Sequence, residues 1–372
     1  MSTELSPRER VRLALEHKET DRVPVDFIAT DEFWVLLQQH LRLPDREAVN
    51  KFLGIDLRHP EMEYIGPSYK RLSSGGYIDY WGIRWEPQPY EGGIYYEAVG
   101  TPLADIKDAS ELEDYSWPDP EWFDVKNVAE EIAAWDKETE YAIAMMEFGD
   151  PGGPFEISGY MRGWQQLMQD MALRPDIAFE LMRHINDFIY AKAERILHRL
   201  GDRVDLIWTS DDIAHQRSSL ISLPMWNELI RPHHERLNRR VHELGGRIMY
   251  HVCGAVEPFI PDLIEAGVDV LDVLQWSAVG MVPEDLKRNY GDRLSFHGGL
   301  DVQAVLPRLP QEDIRKEVNH IISVMSQDGG YIMSPSHNVQ VDTPPANLVA
   351  AYEEAGSINR KGSLDGTASS PK

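Results

Sequence analysis

Residues 248–252 have the sequence Ile-Met-Tyr-His-Val, and residues 268–273 have the sequence Val-Asp-Val-Leu-Asp-Val. Both runs are short, mostly apolar and rich in β-branched residues. Such runs are typical of strands that are buried on both faces of a parallel sheet. Similar runs recur along the chain, at residues 23–27, 54–58, 142–146, 205–209, 294–297 and 331–334. The sequence therefore predicts eight strands of this kind.

Helical stretches, such as residues 224–244 and 311–327, separate the predicted strands. Alternating strands and helices predict an α/β protein with a parallel sheet. Eight such units favour a closed (β/α)8 barrel, a TIM barrel, over an open doubly wound sheet. No glycine-rich dinucleotide or P-loop fingerprint follows a predicted strand, so the usual sign of a nucleotide site is missing.

We expect residues 1–356 to form a single barrel domain that opens with a short helix at residues 6–18. An insert over about residues 77–121 interrupts the alternation. Its aromatic first part, residues 77–99, alternates around Gly92 and Gly93 and predicts a β-hairpin. The hairpin could belong to the core or an interface, or it could cover the barrel mouth. We expect the acidic stretch 109–121 to be a loop over the barrel, and residues 357–372 to be a disordered tail.

The chain of 372 residues carries 37 Lys plus Arg against 62 Asp plus Glu, a formal net charge of −25. This excludes a general nucleic-acid binder, because neutralising phosphates requires clustered cations. It also argues against docking on an anionic membrane, and it suits a small-molecule enzyme. Cys253 is the single cysteine, which fits a reducing compartment. With no signal-like or membrane-spanning apolar run, we expect a cytoplasmic protein.

Polar side chains follow the predicted strands at the edge where barrel enzymes place their catalytic groups. His251 and Cys253 are two residues apart on one strand, so their side chains point the same way. They would supply two of the three protein ligands of a typical catalytic zinc site. The third could be His337 or His297, which both follow later strands. The alternative is that His251 is a core histidine and Cys253 a small buried residue.

Carboxylates at the same edge are candidate catalytic groups. Glu147, Asp211 and Asp212 could act as a general acid or base, orient a ligating histidine, or accept a hydrogen bond from substrate. Asp211 could equally cap a helix. The candidates for substrate binding are Gln275, His297, Arg162 and Asp26, and His59 is a further polar residue at a strand end. Arg162 could bind an anion or form an ordinary ion pair.

Several segments resemble the uroporphyrinogen decarboxylase superfamily. They include His-Val-Cys-Gly at residues 251–254, Phe-His-Gly-Gly-Leu-Asp at residues 296–301 and Ser-Pro-Ser-His-Asn-Val-Gln at residues 334–340. Further matching stretches lie at residues 6–10, 21–25, 210–214, 263–271, 284–291 and 343–347, together with Gln275. The resemblance covers about residues 5–356 and implies a (β/α)8 barrel.

One branch of that superfamily removes carboxyl groups from a tetrapyrrole without a cofactor. Its members carry the segment Met-Arg-Gln-Ala-Gly-Arg after the first strand, and its arginines clasp the substrate carboxylates. Residues 26–32 of this chain have the sequence Asp-Phe-Ile-Ala-Thr-Asp-Glu instead. Acids in place of arginines would repel a polycarboxylate, so we do not expect porphyrinogen decarboxylation. A lyase acting on another carboxylated substrate, with Asp211 or Asp212 as an electrostatic anchor, stays an alternative.

The other branch contains the cobalamin-dependent methyltransferases, and the resemblance is closer to these. They bind zinc through His-x-Cys and a cysteine of the last strand. His251 and Cys253 match, and His337 stands in the place of the last cysteine. One thiolate fewer makes zinc more Lewis acidic, which favours an oxygen substrate over a thiol.

The resemblance therefore implies zinc-dependent methyl transfer between a small methoxylated compound and a corrinoid. The chain has no Asp-x-His-x-x-Gly corrinoid segment, so we expect the corrinoid (cobalamin) on a separate carrier protein. A homodimer is conceivable. A non-catalytic member of the superfamily that binds a ligand is a further alternative.

Overall fold

The computed structural model describes residues 4–90, 93–146 and 152–358. The strands of this part, in chain order, are β1 (Leu57–Arg58), β2 (Glu63–Tyr64), β3 (Lys70–Arg71), β4 (Tyr77–Ile78), β5 (Arg84–Tyr90), β6 (Gly93–Gly100), β7 (Phe123–Asp124), β8 (Ala142–Met145), β9 (Leu206–Ser210), β10 (Ile248–His251), β11 (Val270–Leu274), β12 (Ser295–Leu300) and β13 (Tyr331–Pro335).

The helices of the same part are α1 (Pro7–Leu15), α2 (Asp31–Leu41), α3 (Arg46–Leu53), α4 (Lys126–Trp135), α5 (Pro154–Arg162), α6 (Trp164–Leu173), α7 (Pro175–Leu200), α8 (Leu223–Met225), α9 (Arg231–Glu243), α10 (Ile260–Glu265), α11 (Pro283–Tyr290), α12 (Val305–Arg308), α13 (Gln311–Met325) and α14 (Pro345–Glu354). A π-helical turn, Trp226–Ile230, joins α8 to α9. No helix of the described ranges is both long and apolar enough to cross a membrane.

The central sheet contains seven parallel strands in the order β1, β8, β9, β10, β11, β12, β13. The extended segment around Val25 lies between its two edges. The Asp26 amide donates to the Met333 carbonyl of β13 (2.9 Å), and the Asp56 amide donates to the Val25 carbonyl beside β1 (2.9 Å). Because one segment bonds to both edges, it closes the sheet. The predicted α/β (β/α)8 barrel is confirmed.

Each of the eight apolar runs supplies one position in the barrel wall, and the first two differ most from the predicted bounds. Residues 23–27 form only an isolated parallel bridge, between Val25 and Met333. Pro24 has no amide hydrogen to extend the ladder there. The strand predicted at residues 54–58 is reduced to β1. Gly54 ends α3 in the left-handed conformation (φ 69°), so extended backbone begins only after it.

Helix α1 closes the N-terminal end of the barrel. Ser6 caps the helix through a reciprocal capping box with Glu9. Val11 and Leu15 pack into an apolar cluster with inward-facing strand residues, namely Leu57, Ala142, Ala144, Leu206, Met249, Val270 and Ile332. This end of the barrel is therefore filled, and only the opposite end, at the carboxyl ends of the strands, is left for a site.

The insert forms a four-stranded antiparallel sheet, in the order β3, β4, β5, β6, that begins earlier than predicted. Its strands β5 and β6 are the predicted hairpin, and the turn residues 91 and 92 lie outside the described ranges. Trp81 is fully buried against Phe188 of α7, whereas Tyr95 lines the barrel mouth. The hairpin therefore contributes both to the core and to the rim of the mouth.

The prediction that residues 109–121 cover the barrel is wrong. This stretch forms 3-10 helices, Ala109–Asp114 and Pro120–Trp122, beside α7. Trp117 stacks on His184 of α7 at 4.7 Å between ring centroids, and Leu112 is fully buried. These apolar contacts hold the stretch on the flank of the barrel. Of the predicted tail, Ser357 is buried and donates to the Tyr352 carbonyl (3.1 Å), and residues 359–372 lie outside the described ranges.

Candidate metal centre

Three side chains with metal-binding atoms converge at the barrel mouth. His251 ends β10, Cys253 follows two residues later, and His337 follows β13. One ligand atom of each lies within 4.8 Å of the others. The Cys253 Sγ is 3.5 Å from the His251 Nε2. Of the two histidines proposed as third ligand, the structure brings His337 to this pair and not His297.

The backbone around Cys253 is held in place by three neighbours. Gly254 has φ 91°, and a Cβ there would lie 2.6 Å from the backbone of His215, so only glycine fits this turn. The Cys253 amide donates to Asp212 Oδ1 (2.8 Å). Gln275 accepts from the Gly254 amide (3.0 Å) and points its own amide at Cys253 Sγ (3.3 Å). Gln275, predicted to bind substrate, thus supports the cysteine instead, because this amide is buried behind it.

Metal ligands must be neutral imidazoles and a thiolate, so a bound metal would have to displace a proton from His251 and from Cys253, whereas His337 is ready to bind. His251 Nδ1 lies 2.6 Å from Asp272, which leaves Nε2 facing Cys253. Burial lowers the pKa of His251, but Asp272 and Cys253 outweigh it and raise that pKa well above its usual value. Burial and His251 lower the pKa of His337, so its imidazole is neutral at pH 7. Burial raises the pKa of the Cys253 thiol, and the hydrogen bond with His251 opposes this.

Two imidazole nitrogens and one sulfur form a donor set that zinc favours. Three protein ligands leave a fourth tetrahedral position for water or substrate, as in catalytic zinc sites. His251 and His337 both line the cavity described next, so a metal held by them would be open to that cavity. The residues present therefore fit a catalytic zinc ion.

A cavity of about 1010 Å³ opens from this centre through the barrel mouth. Its aromatic walls are formed by Phe27, Trp34, Tyr95, Trp135, Tyr160 and Trp208. Both arginines of the lining are already paired: Arg46 bonds Asp31, and Arg58 bonds Glu47 (2.8 Å). The cavity wall is thus partly aromatic and otherwise mostly polar, with several carboxylates, and its arginines are neutralised.

Glu156 is the site residue that the sequence analysis missed. It lies in the first turn of α5 and lines the cavity together with Asp212 and His251. Burial, Asp212 and Asp211 raise its pKa to about 8, so it holds a proton at pH 7. The only sequence signal is an acid after Gly152-Gly153-Pro154, which is also what an ordinary helix start looks like.

The predicted catalytic carboxylates have different positions. Asp212 lines the cavity. Asp211 is fully buried; it accepts from the Phe155 amide at the start of α5 (2.9 Å) and lies 2.6 Å from His234 Nε2. Of the roles predicted for Asp211, that of a helix cap agrees best with the structure, although the helix is α5 and not the one that follows. A direct part in catalysis does not, because helix and imidazole occupy its oxygens. Glu147 lies outside the described residues.

Arg162 is not at the site. It is the last residue of α5, and it is only 2% exposed. Its guanidinium bonds Asp170 (2.7 Å) and the Ala104 carbonyl (2.9 Å). The prediction of an anion-binding arginine is wrong, because these buried partners already use its donors.

Asp26 and His297 also do not line the cavity; they lie in the wall behind it. His297 is 2% exposed and lies between Asp272 (Nδ1 to Oδ1, 2.6 Å) and Asp26 (Nε2 to Oδ2, 3.0 Å). Asp26 in turn lies 2.8 Å from His59 Nε2, and His59 does line the cavity. The prediction that Asp26 and His297 touch substrate is wrong, since each is enclosed by these partners.

Burial opposes charge on these groups, but their mutual contacts outweigh it. Burial raises the pKa of Asp26 and of Asp272, yet neighbouring imidazoles hold both far below their usual range. Burial lowers the pKa of His297, but Asp272 and Asp26 raise it to about 9. The wall behind the metal centre therefore contains fixed ionic charges.

Comparison with known proteins places this barrel in a family. The family model described as uroporphyrinogen decarboxylase (URO-D) matches residues 69–357, well over half of the chain. A methyltransferase from Methanosarcina mazei has a similar structure, with a TM-score of 0.68 and 16% identity over 95% of this chain and 99% of that one. This likeness shows a shared fold.

The remaining comparisons show weaker likeness or none. A D-psicose 3-epimerase from Clostridium cellulolyticum H10, solved with D-tagatose, has a TM-score of 0.35 and 15% identity over 69% of this chain and 85% of that one. No curated protein matches the chain significantly. The family match, which spans the metal centre and most of the barrel, shows that the chain belongs to the uroporphyrinogen decarboxylase (URO-D) family.

Proposed function

We propose that the protein is a zinc-dependent methyltransferase that moves a methyl group between a small methoxylated substrate and a corrinoid on a separate carrier protein. The observation that carries the proposal is the convergence of His251, Cys253 and His337 beside a large cavity in a URO-D barrel. The similar fold of the Methanosarcina mazei methyltransferase supports the reaction class.

The three ligands would hold zinc on the cavity wall. A zinc ion there would supply Lewis acidity towards an ether or hydroxyl oxygen. Asp272 orients His251, and Gln275 and Asp212 fix Cys253, so the ligand atoms are held in place before metal binds. The chain's own contribution at this point is a preformed donor set.

Glu156 is placed to handle the proton of the reaction. Breaking a methyl–oxygen bond leaves an oxyanion that must take up one proton. Glu156 is protonated at pH 7 and faces the cavity beside Asp212, whose negative charge helps to keep the proton on it. In the reverse direction the same carboxylate would accept that proton.

The aromatic part of the cavity wall suits an uncharged ring or chain of the substrate. Trp34, Trp135 and Tyr160 offer aromatic faces for contact with a methoxylated ring or chain. A polycarboxylate would meet Asp212 and Glu61, while both lining arginines are already paired. This electrostatic argument disfavours a decarboxylase-like lyase.

The test is methyl transfer by the purified protein from a panel of methoxylated aromatic and aliphatic compounds to free cob(I)alamin. We expect zinc in the protein, activity with part of the panel, and loss of activity on chelation that added zinc restores. Zinc below about 0.2 per chain would contradict the metal site. Release of CO2 from a carboxylated compound, undiminished by exhaustive chelation, would favour the lyase instead.

A further inference from the structure

A continuous chain of side chains leads away from the metal centre inside the barrel wall. His251 bonds Asp272 (2.6 Å), and Asp272 bonds His297 (2.6 Å). His297 bonds Asp26 (3.0 Å), and Asp26 bonds His59 (2.8 Å). His251, Asp272 and His297 lie on β10, β11 and β12, and Asp26 and His59 lie on the segment around Val25 and just after β1, on the far side of β13. The chain thus runs round the barrel from the metal centre back to the cavity, where His59 is partly exposed.

The central histidine of this chain can have only one arrangement of hydrogen bonds. Both ring nitrogens of His297 face carboxylate oxygens, of Asp272 and of Asp26. Each of the two carboxylates therefore holds one side of the imidazole ring. A buried ring bonded on both sides cannot rotate without losing a hydrogen bond.

The carboxylates depend on these imidazoles. The ion pairs formed by Asp26 and Asp272 in the described residues are all with histidines. The other contacts of these carboxylates are weaker donors: the Phe27 amide to Asp26 (2.8 Å) and the Trp208 indole to Asp272 (2.9 Å). The orientation of Asp272, and through it that of His251, therefore rests on His297 being held from its far side.

We propose that Asp26, His297 and His59 are positioning residues of the metal centre, which act on His251 through Asp272. The inference rests on the proposed zinc site. It extends the set of residues that position the metal from Asp272, which contacts the ligand His251, to His59, which lines the cavity.

Substitutions at His297 separate this inference from the ordinary effect of one neighbour. His297→Asn keeps a donor near the Nδ1 position, towards Asp272, and loses the bond to Asp26. His297→Gln keeps a donor near the Nε2 position, towards Asp26, and loses the bond to Asp272. We expect both variants to bind zinc at least about 10-fold more weakly than the wild type, the range seen when an outer partner of a ligand is lost.

The measurements use the metal alone. Zinc affinity is obtained by competition with a chromogenic chelator, and the coordination geometry from the visible absorption of the cobalt(II)-loaded protein. We expect Asp26→Asn to weaken zinc binding about 10-fold and to alter the cobalt spectrum. His59→Leu should do so by a few fold, and His59→Gln, which keeps a donor towards Asp26, should stay close to the wild type.

A matched control is His242→Asn, which removes a histidine–aspartate pair of similar length (2.7 Å to Asp269) away from the metal centre. Its zinc affinity and cobalt spectrum should be unchanged. If the His297 variants do not fold, Asp26→Asn and the two variants of His59 still test the inference. Wild-type affinity and spectrum in His297→Asn, Asp26→Asn and His59→Leu would overturn the inference while leaving the zinc site intact. A wild-type protein that binds no zinc would overturn both.

Discussion

The N-terminal end of the barrel stabilises buried carboxylates with arginine. Asp56 and Asp205 are 0% and 2% exposed. Each is held by two guanidinium groups, Asp56 by those of Arg10 and Arg22, and Asp205 by those of Arg8 and Arg12. These ion pairs fasten α1 and the segment after it to the bottom of the sheet.

The mouth of the barrel stabilises buried carboxylates with histidine. Asp26 and Asp272 are as inaccessible as the two at the bottom, but their charged partners are the imidazoles of His59, His297 and His251. Arginine stays protonated and cannot bind a metal, whereas imidazole can donate from one nitrogen and ligate with the other. Buried carboxylates are therefore stabilised by permanently charged groups at the N-terminal end of the barrel, and by groups that can also bind a metal at its mouth.

The largest effect should come from removing the thiol at the mouth. Cys253→Ala takes away one of the three proposed zinc ligands, and the Lewis acidity at stake is worth several kcal/mol, so we expect roughly a 1,000-fold loss of the proposed methyl transfer. Zinc per chain after dialysis and the initial rate measure this. Circular dichroism should show an intact fold. A variant that keeps its full zinc content and activity would show that Cys253 is needed neither for zinc binding nor for the reaction.

At the N-terminal end of the barrel, Arg10→Met should lower the free energy of unfolding and leave zinc affinity unchanged. The change strips Asp56 of a partner at 2.6 Å inside the protein, and breaking a buried ion pair costs about 3 kcal/mol or more. Urea unfolding measures the free energy, and chelator competition measures zinc. A loss of zinc affinity that accompanied the loss of stability would show that the two ends of the barrel are energetically coupled.

Glu156→Gln should lower activity at pH 7 about 100-fold, because a proton donor is lost. The pKa of about 8 predicts that the wild-type rate falls above pH 8, as Glu156 becomes ionised, and that the variant lacks this decline. A pH–rate profile measures both, with the exposed Glu19→Gln as control. An alkaline limb that survives in Glu156→Gln would assign it to another group.

The same raised pKa has a consequence for stability. The folded protein keeps a proton on Glu156 that the unfolded chain, with a carboxyl pKa near 4.5, has lost. The free energy of unfolding should therefore fall as pH rises from about 4.5 through about 8. Glu156→Gln should remove this fall and be more stable than the metal-free wild type at pH 8, by on the order of 1 kcal/mol. Equal stability of the two proteins at pH 8 would contradict it.

The smallest effect is expected at the rim. Tyr95 of β6 lines the cavity, and its neighbour Ile94, on the other face of the strand, does not. Tyr95→Ala should raise the substrate KM by roughly 3- to 10-fold through lost aromatic contact, with kcat and zinc unchanged. Ile94→Ala is the matched control. Equal KM values in the two variants would exclude the rim from substrate binding.

Most of the barrel could be predicted from the sequence, because the short apolar runs that form strands buried on both faces stand out between the helical stretches. The pairing of His251 with Cys253 followed from the period of a strand. The choice between His337 and His297 did not. Strand β12 continues to Leu300, beyond the predicted end at residue 297, so His297 lies within the wall, whereas His337 lies beyond the end of β13.

Side-chain direction explains the remaining differences. Glu156 and Arg162 stand at the two ends of one helix, and only packing decides that the first faces the cavity and the second faces Asp170. His234 shows no role in the sequence, and the structure buries it against Asp211. Such pairings join positions far apart in the chain, and a local pattern carries no record of them.

The solitary cysteine makes the metal centre easy to observe chemically. Cys253 is the only thiol among 372 residues and is not fully buried. Every molecule of a thiol-reactive dye that the native protein consumes therefore reports on this one position. A thiolate bound to a metal reacts slowly, so dye uptake with and without zinc counts occupied sites directly, with no background from other cysteines.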